Sequence, residues 1–233
     1  MDDMRILPAL TGLLLMLSTV PALAADAPVP EGFVHADEVV PGLVLDLRYA
    51  GSDNFVGTPI DGYEAARVVL SAQAADALRL VQADLEPFGL GLKVFDAYRP
   101  TRAVAHFVRW SSMPDDPGVK KTYYPDIDKQ KLFEEGYVAT RSSHSRGSTV
   151  DLTLVTIGED GTVADLDMGT AFDFFGPESW PDYAVLSGEQ RSNRLLLKLV
   201  MERHGFKPFD KEWWHFTLKD EPFPDTYFDF PVR

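Results

Sequence analysis

Ser142-Ser143-His144-Ser145-Arg146-Gly147-Ser148-Thr149-Val150-Asp151-Leu152-Thr153-Leu154 sets a histidine ahead of a glycine turn and an aspartate inside a mostly apolar run. Val150 to Val155 has the length and β-branched content of a strand. An ionised carboxylate in such a run is costly to bury unless it is paired or metal-bound. On this stretch alone two readings of Asp151 stay open, a solvated residue on the strand's polar face or a buried ligand.

Outward from it, Leu90 to Ala97 reads as a strand ending at Tyr98-Arg99-Pro100, and Trp213 to Leu218 as a last strand. Leu43 to Tyr49 partly alternates, as a half-buried strand does. Glu64 to about Glu86 carries Val68, Val69, Leu78, Val81 and Leu85 at helical spacing, with Pro87 and Gly89 placed to end the helix. Further helices are expected from Thr101 to about Trp110 and from Asn193 to His204, the latter closed by Gly205. Residues 111–140 read as a long irregular excursion, and the aromatic tail as a segment packed on the core. Helices and strands alternate without a regular βαβ rhythm. The expected class is α+β, one domain with a mixed or antiparallel sheet and flanking helices around a metal site.

The formal net charge is −14 and no cluster of Lys and Arg is visible, so a nucleic-acid groove is not expected. The acidic balance also disfavours anionic lipid and leaves a small ligand or neutral peptide as partner. With no cysteine in 233 residues, disulfides, thiolate ligands and a Cys nucleophile are excluded. No glycine-rich phosphate loop or G-x-S-x-G elbow is present. Ile6 to Val20 is apolar, Pro21 breaks it, and Ala22-Leu23-Ala24 is a small-x-small site. Residues 1–24 are therefore expected to be a secretory signal, leaving a mature domain over 25–233, exported to the periplasm. The apolar stretch is short for a membrane span, so no stable insertion is expected once it is removed.

The second chemical signal is Glu212-Trp213-Trp214-His215. A histidine beside two tryptophans can be a packed core residue, and a lone glutamate is usually a solvated charge. Catalytic zinc sites, however, use three protein ligands and leave one position open, with a base nearby. His144, Asp151 and His215 supply three cysteine-free ligands and Glu212 the base. His35, His106 and His204 are read as structural or surface residues.

The pattern S-x-H-x-x-G-x-x-x-D, followed much later by E-x-W-H, resembles the zinc D,D-peptidases. The likeness to the VanX-type D-alanyl-D-alanine dipeptidases spans nearly all of the expected mature chain. It includes Arg48-Tyr49-Ala50, Gly62-Tyr63-Glu64, Asp96-Ala97-Tyr98-Arg99-Pro100, Tyr123-Tyr124-Pro125, Met168-Gly169-Thr170 with Phe172-Asp173, and the tail Tyr227 to Val232. The resemblance implies one zinc ion per chain and cleavage of free D-Ala-D-Ala. It implies that Glu212 is general base and acid, and that Arg99 steadies the polarised carbonyl oxygen. It also places Ser142 at the substrate carboxylate, and Tyr49 with Asp173 at its ammonium. A D,D-carboxypeptidase or endopeptidase acting on cell-wall peptides, or a non-catalytic peptide-binding relative, are the alternatives. Glu178 to Gln190 departs from the family's pattern and is expected near the pocket rim.

Overall fold

The computed structural model describes Met1 and residues 29–233. The expected signal segment and its cleavage site lie outside the described residues. Eight strands and five α-helices follow in order. They are β1 Phe33–His35, α1 Ala36–Val39, β2 Val44–Leu45, β3 Val69–Ser71, α2 Ala72–Leu85, β4 Leu90–Asp96, α3 Thr101–Ser111 and α4 Pro117–Tyr123, then β5 Thr149–Ile157, β6 Val163–Asp165, α5 Gly188–Arg203, β7 Phe206–Phe209 and β8 Glu212–Leu218. The main sheet runs β2-β4-β5-β8-β7, with β6 beside β5. Only the β2–β4 pair is parallel. The sheet is thus mixed and the class α+β, as expected.

Where the elements differ from the sequence expectations, specific contacts explain it. The helix expected from Glu64 begins only at Ala72. Val69-Leu70-Ser71 pairs instead with Phe33-Val34-His35 as a two-stranded ribbon, which puts three fully buried residues in register. Ser71 then caps α2 by accepting from the Ala74 amide at 3.3 Å. Leu43 to Tyr49 yields only two strand residues before a 3-10 turn over Arg48–Ala50. The excursion 111–140 contains α4, started by Pro117 at its first turn and by Asp116, which accepts from Gly118 and Val119 amides. Helix α5 starts at Gly188, earlier than expected, because Ser187 and Gln190 form a reciprocal capping box.

Strand β5 is buried from Thr149 to Val155 and is the centre of the core. Helices α2 and α5 pack on each other and on the sheet. The tail forms a second cluster in which Phe223, Phe228 and Phe230 surround Phe33, and Phe230 stacks on Tyr98 at 4.1 Å. Its Phe228 amide also donates to the Ser145 carbonyl at 2.8 Å, tying the tail to the turn that carries His144. Among the described residues, no helix is long and apolar enough to cross a membrane.

Candidate active site

Strand register builds the site. Asp151 of β5 faces Asp96 of β4 on one side and His215 of β8 on the other. Directly paired residues point to the same face of a sheet, so the three side chains form one row. The pairing of Asp96 with Asp151 depends on a register shift at Phe95, since Val94 pairs with Leu152. That extra residue turns Asp96 toward the row instead of Phe95. His144 comes from the 3-10 turn just before β5. The turn is opened by Ser142, whose hydroxyl accepts from the His144 amide, and closed by Gly147 at φ 82°. A side chain at Gly147 would collide with the Phe33 ring, so the position demands glycine on two grounds.

Three donor atoms converge. His144 Nε2 lies 3.3 Å from Asp151 Oδ2 and 3.3 Å from His215 Nδ1, while His215 Nδ1 lies 3.1 Å from Asp151 Oδ1. Despite that last approach, Asp151 Oδ1 is buried and accepts no hydrogen bond. Three such atoms converging from three segments, one of them a buried carboxylate oxygen with no hydrogen bond, face a common point. The outer nitrogens are tied down: His144 Nδ1 bonds the Ala97 carbonyl at 2.7 Å and His215 Nε2 meets Ser143 Oγ at 3.3 Å. Such second contacts orient histidine ligands. Among the described residues this trio forms a group that could hold a metal ion. Two imidazoles and one carboxylate suit zinc, whose tetrahedral radius of ~2.0–2.1 Å sets ligand atoms roughly 3.3 Å apart.

The electrostatics point the same way. Burial pushes the Asp151 carboxyl up, but His144 and His215 beside it hold it below the ordinary range. Burial, with the charges of Asp151 and Asp173, drives Glu212 well above the usual carboxylate range. Asp173 is raised well above it too, by burial and by Asp151. Several carboxyls crowded in one dry place call for a cation. Glu212 Oε2 sits 3.5 Å from His215 Nδ1. Alternation alone would put residues 212 and 215 on opposite faces. An irregularity where β7 meets β8, between Pro208 and Phe209, lets both look into the cleft.

Arg99 is buried beside the row. Its Nε and terminal nitrogen each reach Asp96 Oδ2 at 2.9 Å, a terminal nitrogen lies 3.5 Å from Asp151, and its plane covers the Tyr49 and Phe107 rings. Burial would lower its pKa, yet Asp96 and its neighbours raise it well above the ordinary value. Tyr49 donates to both oxygens of Asp173, at 3.2 and 3.0 Å. Asp173 has φ 62°, alone among described non-glycine residues in the left-handed region. Such backbone strain clusters at functional sites. All eight expected site residues therefore line one cleft of about 300 Å³.

Two residues quoted in the sequence only as parts of resembling stretches, Asp96 and Tyr63, also belong to the site. Asp96 joins Arg99, approaches His144 Nδ1 at 3.5 Å and accepts from the Tyr63 hydroxyl at 2.6 Å. An acid ending the apolar run Val94-Phe95 was the available signal for Asp96, whereas for Tyr63 only its place in a resembling stretch was. The stretch 178–190, expected near the rim, supplies no lining residue itself. It acts one step removed, through Trp180 Nε1 donating to the hydroxyl of Tyr137, which does line it. His106 and His204 stand outside the site beside Asp61 and Asp84, and His35 ends β1.

Residues 30–233 match the M15 peptidase family model described as D-ala-D-ala dipeptidase. The D-alanyl-D-alanine dipeptidase of Streptomyces coelicolor is 46% identical over 202 residues, covering 86% of this chain and 98% of that protein. The D-alanyl-D-alanine dipeptidase of Enterococcus faecium is 43% identical over 202 residues, covering 87% and 98%. Among solved structures, a mutant of the vancomycin-resistance D,D-pentapeptidase VanY in complex with Zn(II) aligns over 69% of this chain and 78% of its own. Its TM-score is 0.39 and its identity 13%, too distant to bear on the site.

Proposed function

The chain belongs to the M15 D-Ala-D-Ala dipeptidase family, and from that premise we propose that it hydrolyses free D-alanyl-D-alanine to two D-alanines with one zinc ion. The observation that carries this reading is that the His144–Asp151–His215 group shares its cleft with a buried carboxylate end, Asp173 under the Tyr49 hydroxyl. A buried acid there favours a free ammonium, which a longer peptide does not present at that position. The cleft volume of about 300 Å³ is also at the small end for ligand pockets, ~300–1,000 Å³.

His144, Asp151 and His215 would hold the zinc, which when bound would supply Lewis acidity and lower the pKa of water to about 7. Glu212 accepts the proton of the attacking water and hands it to the departing amine. Arg99, fixed by Asp96 and by the two rings, turns positive charge toward the developing oxyanion. Asp173 and Tyr49 receive the ammonium, and Ser142 the carboxylate.

The test is hydrolysis of the four stereoisomers of Ala-Ala and of N-acetyl-D-Ala-D-Ala, before and after metal removal. Turnover of the free D,D-dipeptide that vanishes with chelator and returns with zinc is expected, with rejection of the acetylated form. Equal cleavage of the acetylated form would favour a D,D-carboxypeptidase, and zinc retention without any turnover a binding protein. We further propose that residues 1–24 are removed on export to the periplasm. Full-length chain in the cytosolic fraction would refute this.

A further inference from the structure

We propose that Arg141 receives the substrate's C-terminal carboxylate and so sets specificity for an unblocked C-terminus, an inference that rests on the dipeptidase reading. The cleft carries charges of both signs: Asp151, Asp173 and Glu212 line it, and so do Arg99, Arg141, Arg146 and Lys207. A dipeptide with free ends also carries both signs, and its carboxylate calls for a cation not already committed elsewhere.

The cations are not equivalent. Arg146 is spent on Glu221, with two contacts of 2.8 Å, and on the Tyr227 hydroxyl at 3.3 Å. Arg99 is committed to Asp96. Arg141 makes no ion pair among the described residues. Its guanidinium carbon instead lies over Tyr227, 4.0 Å from the ring centre. A cation–π contact consumes none of the guanidinium's N–H donors, which stay available to a carboxylate. It also precedes Ser142, whose hydroxyl accepts from the His144 amide and keeps its own hydrogen to donate. Tyr227 contacts both arginines, which assigns a purpose to one residue of the aromatic tail that packing alone does not use. Lys207, exposed on β7, is the competing cation and serves as the control.

The experiment compares kcat/KM for D-Ala-D-Ala with that for its C-terminal amide, using the amide's inhibition constant where its turnover is too slow. It uses zinc-loaded wild type, Arg141→Met, Arg141→Lys and Lys207→Met, at 0.1 and 0.5 M salt, with bound zinc measured for each. Arg141→Met should lower the preference for the free carboxylate by about tenfold or more, the size expected of a charged hydrogen bond. Arg141→Lys should recover part of it, Lys207→Met should leave it within about twofold, and zinc content should not change. Persistence at 0.5 M salt marks direct contact, because long-range attraction is screened there. An unchanged preference in Arg141→Met, an equal loss in Lys207→Met, or disappearance of the effect in salt would overturn the proposal. A wild-type protein inactive on D-Ala-D-Ala would remove the dipeptidase reading together with this one. An active wild type with an indifferent Arg141 removes this one only.

Discussion

Replacing Arg194 by methionine should loosen the ammonium end of the cleft without touching it. Arg194 projects from α5, is 4% exposed, and donates to the carbonyls of Met168 at 2.6 Å, Trp180 at 2.6 Å and Glu178 at 2.8 Å. No carboxylate pairs with it among the described residues, and burial lowers its pKa to about 10. The carbonyls it clamps bracket the loop that holds Asp173 in its left-handed backbone. Methionine keeps most of the stem but no donor. The Met168 carbonyl is buried and loses its partner outright, for about 1–3 kcal/mol, while the two nearer the surface rehydrate and lose about 0.5–1.5 kcal/mol each. Relief from burying a charge offsets part of this, leaving about 2–4 kcal/mol. For a domain of this size that lowers Tm by roughly 5–15 °C. Freed of the clamp, Asp173 can leave a conformation that costs about 1–2 kcal/mol. KM for D-Ala-D-Ala should then rise about tenfold at unchanged bound metal. Calorimetry, metal analysis and steady-state kinetics on the free dipeptide test both halves. A Tm within 2 °C of wild type would refute the clamp, and a large fall in Tm with KM intact would refute its link to Asp173.

Glu212→Gln should keep its metal and lose turnover by about 10²–10⁴ or more, whereas His215→Ala should lose the metal, both read by metal analysis beside kcat. Gly147→Ala should cost about 2–5 kcal/mol in denaturant unfolding, since its Cβ would sit 2.2 Å from Phe33 at a φ of 82°. Asp167 accepts from Gln190 and from the Gly169 amide, which hold its carboxyl below the ordinary 3.8. A carboxyl lowered by folding stabilises above its unfolded pKa, and that contribution is lost as pH falls through the folded value. The Tm difference between wild type and Asp167→Asn should therefore shrink on acidification below about pH 4, and a constant difference from pH 7 to 3 would refute the coupling.

The chemistry was legible because its residue types are rare in their surroundings. An aspartate in Val150-Asp151-Leu152 and a histidine behind Trp213-Trp214 are anomalies that periodicity does not explain. What escaped depended on distant pairing. Val68-Val69-Leu70 has apolar residues that satisfy a helix or a strand equally, and only Phe33–His35, over thirty residues away, decides for the strand. Asp96 belongs to the row only because of the shift at Phe95, and an extra residue in a ladder leaves no mark in one chain's pattern. Likewise the opposite parity of Glu212 and His215 argues against a shared face until the irregularity beside Phe209 is known.

The row Asp96–Asp151–His215 has a bearing on folding fidelity. Side chains alternate between faces, so a slip of β5 by one residue against either neighbour would send Asp151 to the far side of the sheet. The two imidazoles would then have no carboxylate to complete their set. An ion held by the set would favour the correct phase of the three central strands over a slipped one, since binding to the native arrangement alone stabilises it.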